Sequence, residues 1–151
     1  MSQFLVLRLA DPISWIITDA DGGRIGPVSI GGLADAAPLA AERPLVVIAP
    51  GASVTFAQPE LPVKGGARVA QIVPYAMEEL LAGEVEQFHF AVGRTDAEGR
   101  TLVAAVRRDE LRGWMDALKS AGLDPQALVP EPLCVPDNPG KTVAVIDGRQ
   151  L

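Results

Sequence analysis

The sequence predicts a mixed α/β protein, and three features predict it. The N-terminal thirty residues hold three short β-prone runs joined by tight turns. Leu45-Val46-Val47-Ile48 is a continuous apolar run, the pattern of a strand covered on both faces of an α/β sheet. Two later stretches carry apolar residues at three and four spacing, which is helical.

Taken in order, Phe4 to Leu9 and Ile13 to Thr18 are the first two strands, with Ala10-Asp11-Pro12 turning between them. Asp19-Ala20-Asp21-Gly22-Gly23 is a turn and Arg24 to Ile30 the third strand of a meander. Leu33 to Glu42 is alanine-rich and suits a short helix that Pro38 weakens. Leu45 to Ile48 and Ser53 to Ala57 follow as strands, and Leu61-Pro62-Val63 as an extended connection. Val69, Ile72, Val73, Ala76, Met77, Leu80 and Leu81 form the apolar stripe of a helix over Ala67 to Ala82. Pro74 inside it removes a backbone bond, so the helix kinks or divides there. Gln87 to Val92 and Thr101 to Val106 read as a hairpin around Asp96-Ala97-Glu98-Gly99. Asp109 is a suitable N-cap for the helix Glu110 to Ala121, which Gly122 closes. Leu128-Val129 is a short strand, Pro130 to Gly140 a loop, and Thr142 to Ile146 a last buried strand before the turn Asp147-Gly148. A strand with no return strand is an unpaired edge, so the protein is expected to continue past Leu151.

With 151 residues and 48% hydrophobic against 21% charged, the chain is long and apolar enough for a buried core. Its net charge of -6 argues against nucleic acid and anionic lipid, and favours a basic protein partner. The lone Cys134, among prolines, cannot form an internal disulfide and has no evident catalytic role. No apolar stretch approaches membrane-spanning length.

Catalytic chemistry is thin. His89, the single histidine, alternates with two aromatics in Phe88-His89-Phe90 and reads as structural. Lys64-Gly65-Gly66 runs in the wrong order for a phosphate loop. Glu78, Glu79, Glu84 and Glu86 cluster between a helix end and the next strand. Glu78 and Glu79 lie near a helix C-terminus, where negative charge is disfavoured, which leaves two readings: use by a partner, or a solvated helix face. Adjacent helical positions diverge by about 100°, so these two do not converge on one metal ion. No metal and no cofactor is expected.

Three stretches, in this order, resemble one family. They are VVIAPGASV over Val46 to Val54, then LPVKGGARVAQIVPYAMEELLAGEVEQFHFAVG over Leu61 to Gly93. The third is VAAVRRDELRGWMDALKSAGLDPQALVPEPLCVP over Val103 to Pro136. Their spacing is similar to the cytoplasmic part of type II secretion system protein L. The resemblance implies an actin-like, ribonuclease-H-like mixed sheet with a smaller appended αβ unit, truncated before the rest of the cytoplasmic region. The expected division is residues 1–93 as the actin-like subdomain, 94–137 as the appended unit, and 138–151 as the first strand of a further subdomain. The strands around Gly93 are expected to pair across the first boundary.

The resemblance also implies a place at the bacterial inner membrane, this segment lying on its cytoplasmic side. It implies a scaffold that binds the N-terminal domain of the secretion ATPase, protein E, and supports protein export. Other inner-membrane platform proteins would be reached through regions outside this sequence, and a homodimer is a further option. Type IV pilus actin-like assembly proteins would be distant relatives. The surface expected to receive the ATPase is Tyr75, Glu78, Glu79, Glu84, Glu86 and Phe90. Carboxylates there would steer a basic patch, and aromatics would anchor it. The actin-like resemblance raises an alternative: a residual nucleotide-binding ATPase with Asp11 and Asp19 or Asp21 on the metal. Against it, Pro12 stands beside Asp11 where phosphate binding needs amide donors and glycine.

Overall fold

The computed structural model describes residues 2–62 and 65–144. The chain divides into two compact units, Met1–Gly51 with Ala121–Leu151, and Ala52–Ser120.

The first unit is built on a five-stranded mixed sheet. Strands β1 (Phe4–Arg8), β2 (Ser14–Thr18) and β3 (Arg24–Ile30) form the antiparallel meander. Helix α1 (Leu33–Ala40) then leads to β4 (Leu45–Ala49), which pairs parallel with β1. The last strand among the described residues, β8 (Ala127–Pro130), pairs parallel with β4. The order β3-β2-β1-β4-β8 keeps the first, second, third, fourth and last strands in a ribonuclease-H-like succession. Alternation fixes the core face. Leu5, Leu7, Trp15, Leu45, Val47 and Ala49 are buried, and Ala36 of α1 is buried with them. The apolar run at β4 was expected to be covered on both faces. Instead Leu45, Val47 and Ala49 are buried while Val46 and Ile48 are half-covered.

The second unit is inserted between β4 and β8. Its sheet has the order β5-β7-β6, with β5 (Val54–Ala57), β6 (Phe88–Thr95) and β7 (Thr101–Arg107) all antiparallel. Helix α2 (Ala67–Met77) lays Val69, Val73 and Met77 against Phe88, Val103 and Ala105. Their four-residue spacing puts them on one stripe, and each contributes about 1.5–3 kcal/mol by burial. Helix α3 (Arg108–Ser120) packs on β7 and β6, and Ser53 donates its hydroxyl to the Glu110 carboxylate.

Several expectations are corrected. Gly93 does not separate two bodies: it lies inside β6, whose pairing with β7 was foreseen. The smaller unit is inserted and spans Ala52–Ser120, so it takes in residues assigned to the larger one. Helix α2 runs through Pro74 but stops at Met77, and Glu78–Leu80 continue as a 3-10 turn. Proline lacks the amide that its place in the helix would use, and the regular helix ends within one turn of it. Leu80 therefore leaves the apolar stripe and is exposed. Asp109 is not an N-cap, because β7 passes directly into α3 at Arg108. Its carboxylate instead accepts from the Glu110 amide and faces Arg107. Thr142–Ala144 is exposed and belongs to no strand among the described residues. The rest of that expected strand, and the Asp147-Gly148 turn, lie outside the described residues.

The two hairpin turns share one design. Asp19 Oδ1 accepts from the amides of Asp21 and Gly23, at 3.0 and 2.7 Å. Asp96 Oδ1 accepts from the amides of Glu98 and Arg100, at 3.0 and 2.9 Å. Each loop places its glycine, Gly22 or Gly99, at a left-handed φ of 84° or 83°. The Arg100 amide, then its guanidinium, hold the Asp96 carboxyl below its usual 3.8.

Two outcomes follow. Met77→Ala lowers unfolding free energy by about 2–5 kcal/mol, while Tyr75→Ala, at an exposed position of the same helix, stays within about 0.5 kcal/mol. Urea titration distinguishes them, and equal losses would place the apolar face of α2 elsewhere. For Asp96, the folded carboxyl ionises more readily than the unfolded one. Its contribution is therefore complete above 3.8 and disappears as pH falls through the lowered folded value. Urea midpoints of the wild type and Asp96→Asn accordingly differ at neutral pH and converge in acid.

Candidate functional site

Helix α2 and strand β6 border an open groove of about 740 Å³ in the second unit. Its α2 side is Ala70, Gln71, Val73, Pro74 and Tyr75. Its other side includes Phe90, Val92 and His89 of β6, with Val85, Glu86 and Arg108 at one end. The pleat explains the apolar floor. Phe88, Phe90 and Val92 pair with Arg107, Ala105 and Val103 of β7 and share one face of the sheet with them. Phe88 is sealed in the core and carries Arg107 over its ring at 5.9 Å. Phe90 packs partly on that core, and Val92 is 44% exposed. Tyr75 on the facing helix is 74% exposed.

Of the six residues expected to form the site, the structure brings Tyr75, Glu86 and Phe90 onto this groove. Glu78 and Glu79 lie on the exposed 3-10 turn that ends α2. Glu84 is exposed just before a second 3-10 turn, Val85–Gln87. None of these three lines the groove. Among the described residues, Glu78, Glu79, Glu84 and Glu86 make no ion pair. Arg108 is the cation in the groove, and its Nε donates to the Glu86 carbonyl at 3.0 Å. The sequence reading missed Val92, Arg108 and Pro74 as lining residues. The alternation Phe88-x-Phe90-x-Val92 was a usable signal for the first. Arg108 had none, because its placement depends on β7 passing straight into α3.

The first unit offers a different location. In open α/β sheets, ligands bind at the carboxyl ends of the parallel strands. Here those ends are Arg8 of β1, Gly51 after β4, and Glu131 after β8. Arg8 Nε donates to Glu131 Oε1 at 2.6 Å, and the Gly51 amide donates to Glu131 Oε2 at 3.3 Å. A Cβ at Gly51 would meet Pro132 at 3.0 Å. In the turn after β1, the Leu9 and Ala10 amides donate to the Ile48 and Arg8 carbonyls. Asp11 beside them is exposed, and Asp19 is committed to its own hairpin. Among the described residues, no three His, Cys, Asp or Glu side chains gather to hold a metal ion. No helix among them is long and apolar enough to cross a membrane. Burial, then the nearby Glu131 charge, push the Cys134 thiol up and keep it protonated.

Comparison with known proteins gives one consistent family. The model of "Type II secretion system (T2SS), protein L" matches residues 5–150. Type II secretion system protein L of Dickeya chrysanthemi is 28% identical over 141 residues, 89% of this chain and 35% of that protein. The Klebsiella pneumoniae protein is 36% identical over 115 residues, 74% of this chain and 28% of its own. The chain thus spans about a third of the curated relatives it matches. Among solved structures, it is similar to the cytoplasmic domain of EpsL, an inner membrane component of the type II secretion system of Vibrio cholerae. The TM-score is 0.77 at 26% identity, covering 91% of this chain and 61% of that one. It also shares its fold with a chain of the PilM-PilN type IV pilus biogenesis complex. There the TM-score is 0.59 at 20% identity, covering 85% of this chain and 47% of the other. The chain belongs to the type II secretion system protein L family.

Proposed function

We propose that this chain is the part of a secretion scaffold that receives the N-terminal domain of the secretion ATPase, protein E. It would do so on the cytoplasmic side of the bacterial inner membrane. Family membership supports the system, and the resemblance in sequence supports the partner. The observation that carries the choice of surface is the α2–β6 groove. Tyr75 stands beside an apolar floor that includes Phe90, with Glu86 on its wall and Glu78, Glu79 and Glu84 exposed on the same segment. Aromatic anchors give an interface its lifetime, and surrounding charges of one sign give it a fast encounter. The role is a binding role and not a catalytic one. The ion pair between Arg8 and Glu131 at the carboxyl ends of the parallel strands supports that view.

Two measurements test it. Size-exclusion chromatography with light scattering, on this chain mixed with the N-terminal domain of the cognate ATPase, gives one shared peak. Joint reversal of Glu78→Lys and Glu79→Lys weakens the complex by about tenfold, chiefly by slowing association and less so in high salt. Binding unchanged by that reversal removes these two residues from the surface, and separate peaks from two folded proteins remove the docking role. Against the nucleotide reading, saturating Mg-ATP leaves the melting temperature where it was. A ligand at a hundred times its Kd adds about 2.7 kcal/mol of stability, so a clear upward shift would restore Asp11, Asp19 and Asp21 as candidates.

A further inference from the structure

We propose that the partner docks by strand addition. An extended basic segment, apolar at alternate positions, pairs with the outer edge of β6 and sets its apolar side chains into the α2–β6 groove. This rests on the docking role given above and specifies how that surface is read.

The two sheets have four edge strands among the described residues: β3 and β8 in one, β5 and β6 in the other. An open edge invites pairing with another chain, and proteins blunt edges with short strands, prolines, bulges or charge. Three of these edges are blunted. Strand β3 carries Pro27 at its centre, beside Gly26 at a φ of 81°, and its pairing with β2 shifts register between Trp15 and Ile17. Strand β8 has four residues and ends in Pro130. Strand β5 also has four. Strand β6 has eight residues and no proline; its pairing shifts register between Val92 and Thr95, around Arg94, but Phe88 to Val92 pairs with β7 in unbroken register. Within that regular stretch there is no lysine, arginine, aspartate or glutamate. Among the described residues, Phe88 to Val92 is the longest regular edge stretch free of proline and charge, and it borders the groove.

The groove then sets the character of the added segment. Side chains of a strand alternate between faces. A segment paired with β6 places every second side chain on the side of Phe90 and Val92, between them and Val73, Pro74 and Tyr75 of α2. Those positions take apolar residues. Charge sets the remainder. Glu86 lines the groove, and Glu78, Glu79 and Glu84 are exposed on the same stretch of chain, none in an ion pair among the described residues. The opposing cation, Arg108, already donates to a backbone carbonyl. Lysines and arginines at the end of the segment that lies beside Val85 and Glu86 answer this excess. Main-chain pairing gives such an interface its affinity, and the alternate pockets give it specificity.

Amide hydrogen exchange on this chain, alone and with the N-terminal domain of the cognate ATPase, tests the proposal. Exchange of amides between Phe88 and Val92 slows in the complex. A complex that forms with β6 exchange unchanged overturns strand addition and leaves the docking role standing. Absence of any complex overturns both. Slowing that appears in this chain alone as its concentration rises makes the occupant a second copy and overturns the proposal. Val92→Lys supplies a second reading, since a lysine on an edge blunts it and Val92 is exposed enough to tolerate one. With the melting temperature unchanged, its complex is weaker by at least about tenfold. Full affinity in that folded variant overturns the proposal.

Discussion

The parallel pairing of β8 with β4 is the constraint on which the rest of the first unit depends. Val46, Val47 and Ile48 find their partners, Ala127, Leu128 and Val129, only after the whole second unit has been traversed. A parallel pair always needs a crossover, normally a helix. Here the crossover is a folded unit with its own sheet and its own core. Loop closure grows costlier only slowly with length, so a large insertion is tolerated if it orders itself. The core of Val69, Val73, Met77, Phe88, Val103 and Ala105 supplies that order locally. The same pairing delivers Glu131, directly after β8, to Arg8 at the end of β1. The edge strand β8 thereby also brings Glu131 to the carboxyl ends of the parallel strands, where sheets of this kind hold ligands.

The two units consequently present different kinds of surface. At the carboxyl ends of its parallel strands the first unit has matched charges and engaged amides. The second has apolar side chains beside a long strand edge, with carboxylates that nothing neutralises among the described residues. A fold does not carry its function with it, and the actin-like succession of strands is consistent with this division.

What the sequence revealed depended on how local each signal was. The meander and the β6–β7 hairpin were legible because Asp19 and Asp96 each organise a turn from within five residues, with glycine where φ is positive. The stripe at Val69, Val73 and Met77 was legible from periodicity alone. The insertion was not, since nothing in Ala127-Leu128-Val129-Pro130 states which strand it will join. The end of α2 was misplaced because Leu80 and Leu81 prolong an apolar pattern that the backbone abandons after Pro74. The candidate site was legible in part for the same reason. Tyr75, Glu86 and Phe90 were singled out from residue type, but the groove that joins them exists only once α2 lies along β6. Glu78, Glu79 and Glu84 were grouped with them by proximity in sequence, and that grouping did not survive as a shared lining.

The apolar floor and the carboxylates do not contribute equally. Exposed ion pairs are worth about 0–1 kcal/mol each and weaken with salt, so four such carboxylates cannot hold a partner by themselves. Apolar burial contributes about 25 cal/mol for each Å² removed from water, and aromatic side chains can bury 150–250 Å². Tyr75, held out at 74% exposure, has most of that area still to bury, and Val92 has some. Phe90 has already spent part of its own on the core, which fixes its position and lowers the ordering cost of using it. In the proposed docking, the carboxylates would therefore govern how quickly a basic partner arrives and which partners are repelled, while the groove and the β6 edge would govern how long the right one stays.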